Sequence, residues 1–357
     1  MTTSPVNLSD FEAIARERLT PLVYDYYAGA AGDELTLVEN VAAWGRHRLR
    51  PSSLVDVSEL DTTTTVLGQP IAAPILTAPC ALNKLAHSDG EIGVARATAD
   101  AGLIQVLSMQ ATTTIEDNAA SAAGPWFQLA CLRDREITRA LVGRAEAAGY
   151  TALCLTVDVP VLGRRERDVR NAFKLPAGIA MVNLDPYAPQ ASGGSDEPSA
   201  LAAFVNRLWD PRLTWEAVDW LTSISGLPVI AKGVLTAEDA RLAVDHGASG
   251  IIVSNHGGRQ LDGAISTCAA LPDVVDAVAG QVDVLVDGGI RRGVDVLRAL
   301  AMGARAVLIG RPYLWGLATD GEAGVRAVLR MLRTELELAM ALVGRPNVRD
   351  VDRSLLA

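Results

Sequence analysis

Short apolar runs of five to seven residues alternate along most of this chain with longer segments of helical periodicity. The apolar runs occupy 74–78, 103–108, 125–130, 152–158, 228–232, 250–254, 282–287 and 306–310. Helix-like segments lie between most of them, for example at 90–102, 135–149, 237–247 and 293–303. Two of these segments end at a glycine, Gly247 or Gly303, where a helix stop is expected. Strands that are apolar throughout are buried on both faces, so the alternation predicts a parallel sheet covered by helices.

The number of strand–helix units selects the architecture. Eight units over roughly 240 residues favour an α/β fold of the closed (β/α)8 TIM barrel type, with an open doubly wound sheet as the alternative. We expect a single domain over 1–357, with the barrel itself at 72–345. Residues 1–60 are predicted to form a helical N-terminal cap, and 61–71 a short hairpin that closes the bottom of the barrel.

The segment that follows the fourth strand, from about 160 to 212, is too long for an ordinary connection in a barrel. Its middle, PQASGGSDEPS at 189–199, is rich in Gly, Ser and Pro, which is typical of a mobile loop. A long insert at the carboxyl end of a barrel strand is well placed to act as a lid over an active site. An inert surface insert is the alternative.

The composition argues against several classes of function. Of the 357 residues, 49% are hydrophobic and 21% are charged, which permits a large core and argues against disorder. The net charge of −10 argues against nucleic acid or an anionic membrane as a partner. The four cysteines are scattered without CxxC spacing, so we expect buried thiols in a reducing compartment and no metal site. No segment reaches the roughly 18 consecutive apolar residues of a membrane span, and the polar N-terminal segment lacks the apolar core of a signal peptide. We therefore expect a cytoplasmic protein.

Reactive residues of a (β/α)8 barrel gather where its strands end. Six of the eight predicted strand ends carry a side chain that can ionise or form hydrogen bonds. These ends are 78–81, 108–110, 128–130, 156–158, 232–233, 254–256, 287–289 and 310–311. Taken one at a time, Ser, Asp and Gly are ordinary turn residues. Their common location at one end of a barrel indicates a site.

The ends of the last two predicted strands indicate a phosphate site. DGGIRRG at 287–293 and IGRP at 309–312 place glycines and arginines directly before helix starts. Backbone N–H groups, a helix N-terminus and a cation form the usual phosphate site of a barrel. Two tight turns with solvent-exposed arginines are the alternative. Lys232, which emerges from an apolar strand, would be a costly buried cation unless it faces an anion or an electron-rich ring.

The stretch SNHGGRQLD at 254–262 adds a candidate base. His256 follows a predicted strand end, and we expect the glycines beside it to let a ligand approach closely. Arg259 offers a planar donor fork suited to a carboxylate, and Asp158 is placed to orient the imidazole and stabilise its protonated form. A lone histidine is more often structural, but a base, an anion clamp and a phosphate site at one barrel end indicate an enzyme. These residues alone do not identify the reaction.

Five separated motifs occur in one order along the chain: YDYYAGAAGDELTLVEN (24–40), TVDVPVLGRRERDVRN (156–171), AKGV (231–234), SNHGGRQLD (254–262) and DGGIRRG (287–293). Together they strongly resemble the FMN-dependent α-hydroxy acid oxidase and dehydrogenase family, whose members oxidise glycolate, lactate or mandelate. The likeness extends from about residue 8 to residue 345. It implies FMN as the cofactor.

The resemblance also implies a role for each matched residue. His256 resembles the family's catalytic base and Asp158 its carboxylate partner, while Lys232 resembles the cation beside the N1–C2 edge of the flavin. The residues matched to substrate binding are Arg259, Arg165 and Tyr26. The residues matched to contacts with the flavin ring are Pro79, Ala81, Ser108, Gln128 and Thr156. The residues matched to contacts with the ribityl chain and phosphate are Ser254, Asp287, Gly289, Arg291, Gly310 and Arg311.

Two positions depart from the family pattern on the substrate side. Ala130 stands where a tyrosine that assists carboxylate binding is common, and Gln110 stands where an aromatic residue is common. Loss of a tyrosine hydroxyl contact would cost about 0.5–1.5 kcal/mol of binding free energy. Both replacements remove ring volume, so we expect Ala130 and Gln110 to line a substrate pocket that is roomier and more polar than that of a glycolate enzyme.

The resemblance implies a reaction and leaves some of its features open. An (S)-2-hydroxy acid, or a larger molecule bearing that unit, would lose two electrons from its α-carbon to flavin N5 as His256 takes a proton, giving the 2-oxo acid. Oxygen or another electron acceptor would reoxidise the flavin, and the choice between hydride and carbanion transfer stays open. The resemblance further implies a homotetramer. Two alternatives remain: a flavin-assisted non-oxidative isomerase acting on a phosphorylated substrate, and a scaffold protein without turnover.

Overall fold

The N-terminal segment folds as helices that precede the barrel. The computed structural model describes residues 4–187 and 200–357. Its first helices are α1 (Leu8–Arg18), α2 (Pro21–Ala28) and α3 (Leu35–Arg46). Asn7 and Asp10 form a capping box at the start of α1, and Thr20 caps α2, so side chains satisfy free N–H groups at both helix starts. The predicted helical N-terminal cap is therefore present at 8–46, whereas 47–60, which was included in the prediction, contains no helix.

A two-stranded antiparallel hairpin follows, formed by β1 (Thr64–Val66) and β2 (Gln69–Ile71). Leu67 and Gly68 have φ values of 49° and 77°, as a two-residue hairpin turn requires. Val66 and Ile71 join the apolar cluster inside the barrel, and the amide of Leu67 donates to Asp283 at the start of a barrel strand. The hairpin thus closes the amino-terminal end of the barrel, as predicted for 61–71.

Eight parallel strands form a closed barrel in which each strand pairs with its neighbours in the chain and the last pairs with the first. They are β3 (Ile75–Thr77), β4 (Ile104–Ser108), β5 (Trp126–Leu129), β6 (Ala152–Thr156), β7 (Val229–Val234), β8 (Gly250–Val253), β9 (Asp283–Val286) and β10 (Ala306–Ile309). Each lies within or overlaps one of the eight predicted runs. The predicted (β/α)8 fold is confirmed, and the open-sheet alternative is excluded.

Apolar side chains fill the interior of the barrel. Alternate strand residues, among them Trp126, Ile230 and Leu285, form one inward-facing cluster, and the residues between them pack against the helices. An interior packed in this way has no space for a ligand. Binding is therefore confined to the ends of the strands, and the hairpin already covers the amino-terminal end.

Helices surround the barrel. They are α4 (Gly90–Asp100), α5 (Ile115–Ala119), α6 (Arg135–Ala147), α7 (Glu166–Arg170), α8 (Ala200–Leu208), α9 (Glu216–Ile224), α10 (Ala237–Asp245), α11 (Thr267–Val278), α12 (Gly293–Ala301) and α13 (Arg311–Val343). The helices predicted at 237–247 and 293–303 end two residues early, at Asp245 and Ala301. Gly247 and Gly303 lie just beyond them with φ values of 86° and 104°, so both glycines are stop signals in the left-handed conformation.

The insert between β6 and β7 contains α7 and α8 and packs against loops at the carboxyl ends of the strands. The amide of Val182 donates to the carbonyl of Ala111 after β4, and Trp209 forms a β-bridge with Leu132 after β5. Its middle, 189–199, lies outside the described residues, so the predicted lid stays a prediction. Within the described ranges, none of the helices combines the length and apolar character needed to cross a membrane.

Candidate active site

The predicted base and its partner meet at the carboxyl end of the barrel. His256 begins a turn after β8 and adopts a φ of 57°, while Asp158 lies two residues beyond β6. The imidazole Nδ1 lies 3.1 Å from Asp158 Oδ1. A carboxylate in this position accepts the Nδ1–H and leaves Nε2 as the ring nitrogen with a free lone pair. The sequence-based pairing of these two residues is thus found in the structure.

The surroundings keep the imidazole neutral and the carboxyl ionised. Burial lowers the pKa of His256, with smaller contributions from the charges of Lys232 and Arg165, and the negative charge of Asp158 opposes this. Burial works against ionisation of Asp158, but attraction to His256 and Lys232 outweighs it and holds the pKa of that carboxyl below its usual value. A neutral histidine beside an ionised carboxylate is ready to accept a proton.

Lys232 forms a buried ion pair with Asp287, a residue that lies two strands away in the barrel. Its Nζ, on β7, lies 2.9 Å from Asp287 Oδ2, just after β9, and donates to Ser254 Oγ at 2.8 Å. Burial alone would lower the pKa of Lys232, but the charges of Asp287 and Asp158 outweigh it and hold that pKa well above the usual value. The lysine therefore stays cationic. Asp287 Oδ1 is buried without a hydrogen-bond partner among residues 4–187 and 200–357.

Two guanidinium groups stand beside the base. Arg165 is only 8% exposed, and burial together with the nearby charge of Arg259 lowers its pKa to about 9. Arg259 donates through Nη1 to the carbonyl of Gly29 at 2.7 Å, and its Cζ lies 5.3 Å from the ring centre of Tyr26. That ring stacks on Phe173 at 4.6 Å, which fixes its orientation. Neither arginine has an ion-pair partner in the described part of the chain, so both favour an anionic ligand.

The predicted phosphate residues lie at the ends of β9 and β10. Gly310 precedes α13, and Arg311 is the first residue of that helix. Arg311 donates to the carbonyls of Tyr27, Gly29 and Gly257, so the guanidinium also ties the N-terminal helices to the barrel. Burial and the charges of Arg259 and Arg291 lower its pKa to about 9.

The two glycines after His256 allow other parts of the protein to approach closely. A Cβ on Gly257 would lie 2.9 Å from Arg311 Nη1, and a Cβ on Gly258 would lie 2.8 Å from the backbone of Leu37. Both glycines also have positive φ values. Gly257 also lines the cavity at this end of the barrel, and the expectation that these glycines let a ligand approach stays a prediction.

One cavity at the carboxyl ends of the strands joins these groups. The predicted site residues on its wall are Tyr26, Pro79, Ala81, Ser108, Gln110, Gln128, Thr156, Arg165, Lys232, His256, Arg259, Asp287, Gly289, Arg291, Gly310 and Arg311. Asp158 and Ser254 stand behind that wall, where they contact His256 and Lys232.

The charge of the wall is strongly positive. Its cations are Arg165, Lys232, Arg259, Arg291 and Arg311, and its carboxylate is Asp287, which leaves an excess of four positive charges. A cavity with this excess of positive charge fits a ligand with several negative charges.

The prediction for Ala130 needs correction. This residue is buried, and its amide contacts Met109 Sδ at 3.1 Å, but it does not belong to the cavity wall. The missing ring therefore adds no space at that position. Trp209 and Val205, from the returning end of the insert, do line the cavity, although neither belongs to a motif or periodic pattern that indicates a site.

Comparison with known proteins identifies the relationship. The profile of the FMN-dependent dehydrogenase family matches residues 15–357. The chain belongs to this family. It is 51% identical to the L-lactate oxidase of Nostoc sp., and the match covers 99% of this chain and 98% of the relative. It is 50% identical to glycolate oxidase 3 of Arabidopsis thaliana, and that match covers 98% of this chain and 95% of the relative. A crystal structure of mandelate oxidase with (S)-4-hydroxymandelic acid superimposes with a TM-score of 0.95 at 44% identity, covering 99% of this chain and 98% of the other.

The family membership confirms two predictions. FMN is the cofactor of this FMN-dependent dehydrogenase, and the enzyme class is oxidation of a 2-hydroxy acid to a 2-oxo acid. These relatives favour oxidation over the isomerase alternative. The roles of the individual site residues remain predictions, to which the geometry of the cavity now gives support.

Proposed function

We propose that His256, oriented by Asp158, is the base that accepts a proton from an (S)-2-hydroxy acid during its oxidation to the 2-oxo acid. The observation that carries this proposal is the 3.1 Å contact between the two side chains at the edge of a cation-rich cavity. The Nδ1–H bond to Asp158 fixes the ring and leaves Nε2 to take the proton. The same carboxylate stabilises the imidazolium that results.

The substrate carboxylate binds between Arg259 and Arg165. Both guanidinium groups line the cavity without a carboxylate partner in the described ranges, and Tyr26 packs its ring against Arg259. A carboxylate between two guanidinium groups forms charge-assisted hydrogen bonds, which are shorter and stronger than neutral ones. In this arrangement the α-carbon of the acid would lie next to His256.

The remaining charges of the wall fit FMN. Its phosphate carries about two negative charges and the substrate carboxylate one, against an excess of four positive charges on the wall. Arg291 and Arg311, with the backbone of Gly289 and Gly310, would hold the phosphate at the start of α13. The unpartnered Oδ1 of Asp287 is a buried acceptor for a ribityl hydroxyl.

The isoalloxazine ring would lie against the other strand ends. The residues assigned to it are Pro79, Ala81, Ser108, Gln128 and Thr156, all on the cavity wall. Lys232, held beside them by Asp287 and Ser254, would stabilise the negative charge that the ring gains on reduction. When bound, FMN supplies the two-electron acceptor.

Further features of the proposal concern the whole protein. We place it in the cytoplasm as a homotetramer, with oxygen or another compound as the final electron acceptor. The four free cysteines support a reducing compartment, and the family resemblance supports the tetramer. Light scattering coupled to gel filtration tests the assembly, and the rate of flavin reoxidation with oxygen or with artificial acceptors tests the last step.

Anaerobic reduction of the FMN-loaded protein tests the reaction itself. We expect that (S)-2-hydroxy acids bleach the flavin absorbance near 450 nm, that (R)-enantiomers do so far more slowly, and that one 2-oxo acid forms per flavin reduced. An absorbance that no 2-hydroxy acid changes would contradict the proposal.

A further inference from the structure

We propose that the substrate's side chain binds in a subsite formed by Trp209 and the carboxamide of Gln110. This subsite selects 2-hydroxy acids with an extended side chain that ends in an uncharged hydrogen-bonding group. The inference rests on the proposed function, since it takes the carboxylate position from Arg259 and the α-carbon position from His256.

Part of the cavity wall has no role in the chemistry described above. It includes Gln110, Val159, Leu162, Val205 and Trp209, which line the same cavity as the base and the two arginines. They come from the loops after β4 and β6 and from the returning end of the insert. With the carboxylate at the arginines and the α-carbon at the histidine, this wall is left for the side chain.

Trp209 is held firmly in this wall. It is only 5% exposed and forms a β-bridge with Leu132, and the amide of Arg133 donates to the carbonyl of Leu208. This backbone pairing joins the end of the insert to the segment directly after Ala130. The indole is therefore a fixed apolar surface, large enough to cover a side chain of four or more heavy atoms.

Gln110 is the polar group of the wall. Its backbone is anchored at both ends, because its amide donates to Ser108 Oγ at 3.2 Å and its carbonyl accepts from the amide of Leu82 at 3.2 Å. Its side-chain Nε2 contacts Met181 Sδ at 3.6 Å, and a thioether is a weak acceptor. Within residues 4–187 and 200–357, its Oε1 accepts no hydrogen bond. The carboxamide is thus available to both donors and acceptors of a ligand.

The chemistry of this wall favours a neutral end group. A charged end group would lie among Val159, Leu162, Val205 and Trp209, and the residues that the structure describes supply no opposite charge on this part of the wall. Burying an unpaired charge is costly. An apolar end group would leave the Gln110 carboxamide without a hydrogen-bond partner. Sites built for hydrogen bonding strongly reject ligands that lack the matching group. A hydroxyl or an amide satisfies both conditions.

Two isosteric substrates test the role of Gln110. The acids are (S)-2-hydroxysuccinamate, which ends in an amide, and (S)-2-hydroxy-4-methylpentanoate, which ends in two methyl groups. We expect kcat/KM to favour the amide about tenfold, and Gln110→Leu to remove or reverse this ratio. Gln281→Leu, at an exposed glutamine outside the cavity, serves as the control and should keep the ratio. A wild-type preference for the methyl groups, or an unchanged ratio in Gln110→Leu, would overturn the inference.

A second variant tests the aromatic surface. Trp209→Ala should lower the kcat/KM of both acids relative to (S)-lactate by about tenfold, and Trp220→Ala is the matched control, since Trp220 stacks on Arg135 outside the cavity. An unchanged ratio in Trp209→Ala would overturn the role of the indole. Failure of every 2-hydroxy acid, lactate included, to reduce the flavin would instead overturn the proposed function.

Discussion

The replacement Asp158→Asn separates the charge of this carboxylate from its shape. In the native protein Asp158 Oδ1 lies 3.1 Å from His256 Nδ1 and accepts its hydrogen. An asparagine fits the same space but carries no charge, and its amide group can donate to Nδ1. The imidazole would then carry its hydrogen on Nε2, which is the wrong tautomer for a base at that atom.

The size of the effect follows from the lost charge. Two unit charges about 3 Å apart attract each other by about 5 kcal/mol at an effective dielectric constant of about 20. The His256 side chain is 30% exposed, so solvent screens part of this attraction. A hydrogen bond to a charged group contributes about 1.5–3 kcal/mol net. We therefore expect a loss of about 3 kcal/mol in transition-state stabilisation, which is about a hundredfold in the rate of flavin reduction.

The pH dependence of kcat/KM in Asp158→Asn provides a second, independent test of this role. Burial lowers the pKa of His256, and the charge of Asp158 is the largest opposing influence. Removing that charge lowers the pKa further, so the base stays neutral to lower pH. The acid limb of kcat/KM against pH should therefore move to lower pH in Asp158→Asn, while the maximum rate falls.

Anaerobic stopped-flow reduction over a range of pH measures both effects. The control is Asp219→Asn, because Asp219 Oδ2 lies 2.6 Å from Nδ1 of His246 in a similar pair that does not line the cavity. The FMN content should be kept, since Asp158 does not line the cavity. A rate loss below about threefold, or an acid limb that moves to higher pH, would refute the reasoning.

Three further predictions concern other parts of the cavity. Lys232→Met leaves Asp287 buried without its cation, so the free energy of unfolding in urea should fall by about 3–5 kcal/mol; a change below about 1 kcal/mol would count against the ion pair. Arg259→Leu should weaken substrate binding tenfold or more with the flavin spectrum kept, as measured by anaerobic titration with a 2-oxo acid, and an unchanged Kd would rule out the clamp. Cys80 is the cysteine that lines the cavity, and the other three are buried. One thiol should therefore react with a disulfide reagent in the FMN-free protein, and bound FMN should protect that thiol. Labelling that FMN leaves unchanged, or that persists in Cys80→Ser, would contradict this placement.

Much of the fold could be predicted from local patterns in the sequence. Each barrel strand is mostly apolar, and stop glycines such as Gly247 and Gly303 mark helix ends, so the sequence predicts the order of elements without knowledge of long-range contacts. The predicted barrel also placed the base and the phosphate residues at one edge, because parallel strands in a barrel end on the same side.

The features missed from the sequence depend on side chains that meet across the fold. The pairing of Lys232 with Asp287 joins β7 to the end of β9, and no local pattern shows which strand end faces the lysine. Trp209 reaches the cavity only because the end of the insert pairs with the segment around Leu132. Gly257 makes room for Arg311, a neighbour that lies far away in the chain. Each of these contacts is set by tertiary packing.

The rate of anaerobic flavin reduction in His256→Ala tests whether His256 is the base. We expect this variant to keep its FMN and its yellow colour but to be reduced by an (S)-2-hydroxy acid about a thousandfold more slowly than the wild type, as expected for loss of a general base. His246→Ala, which removes the histidine of the second His–Asp pair outside the cavity, should be reduced at the wild-type rate. Rapid reduction of His256→Ala would contradict the assignment of the base.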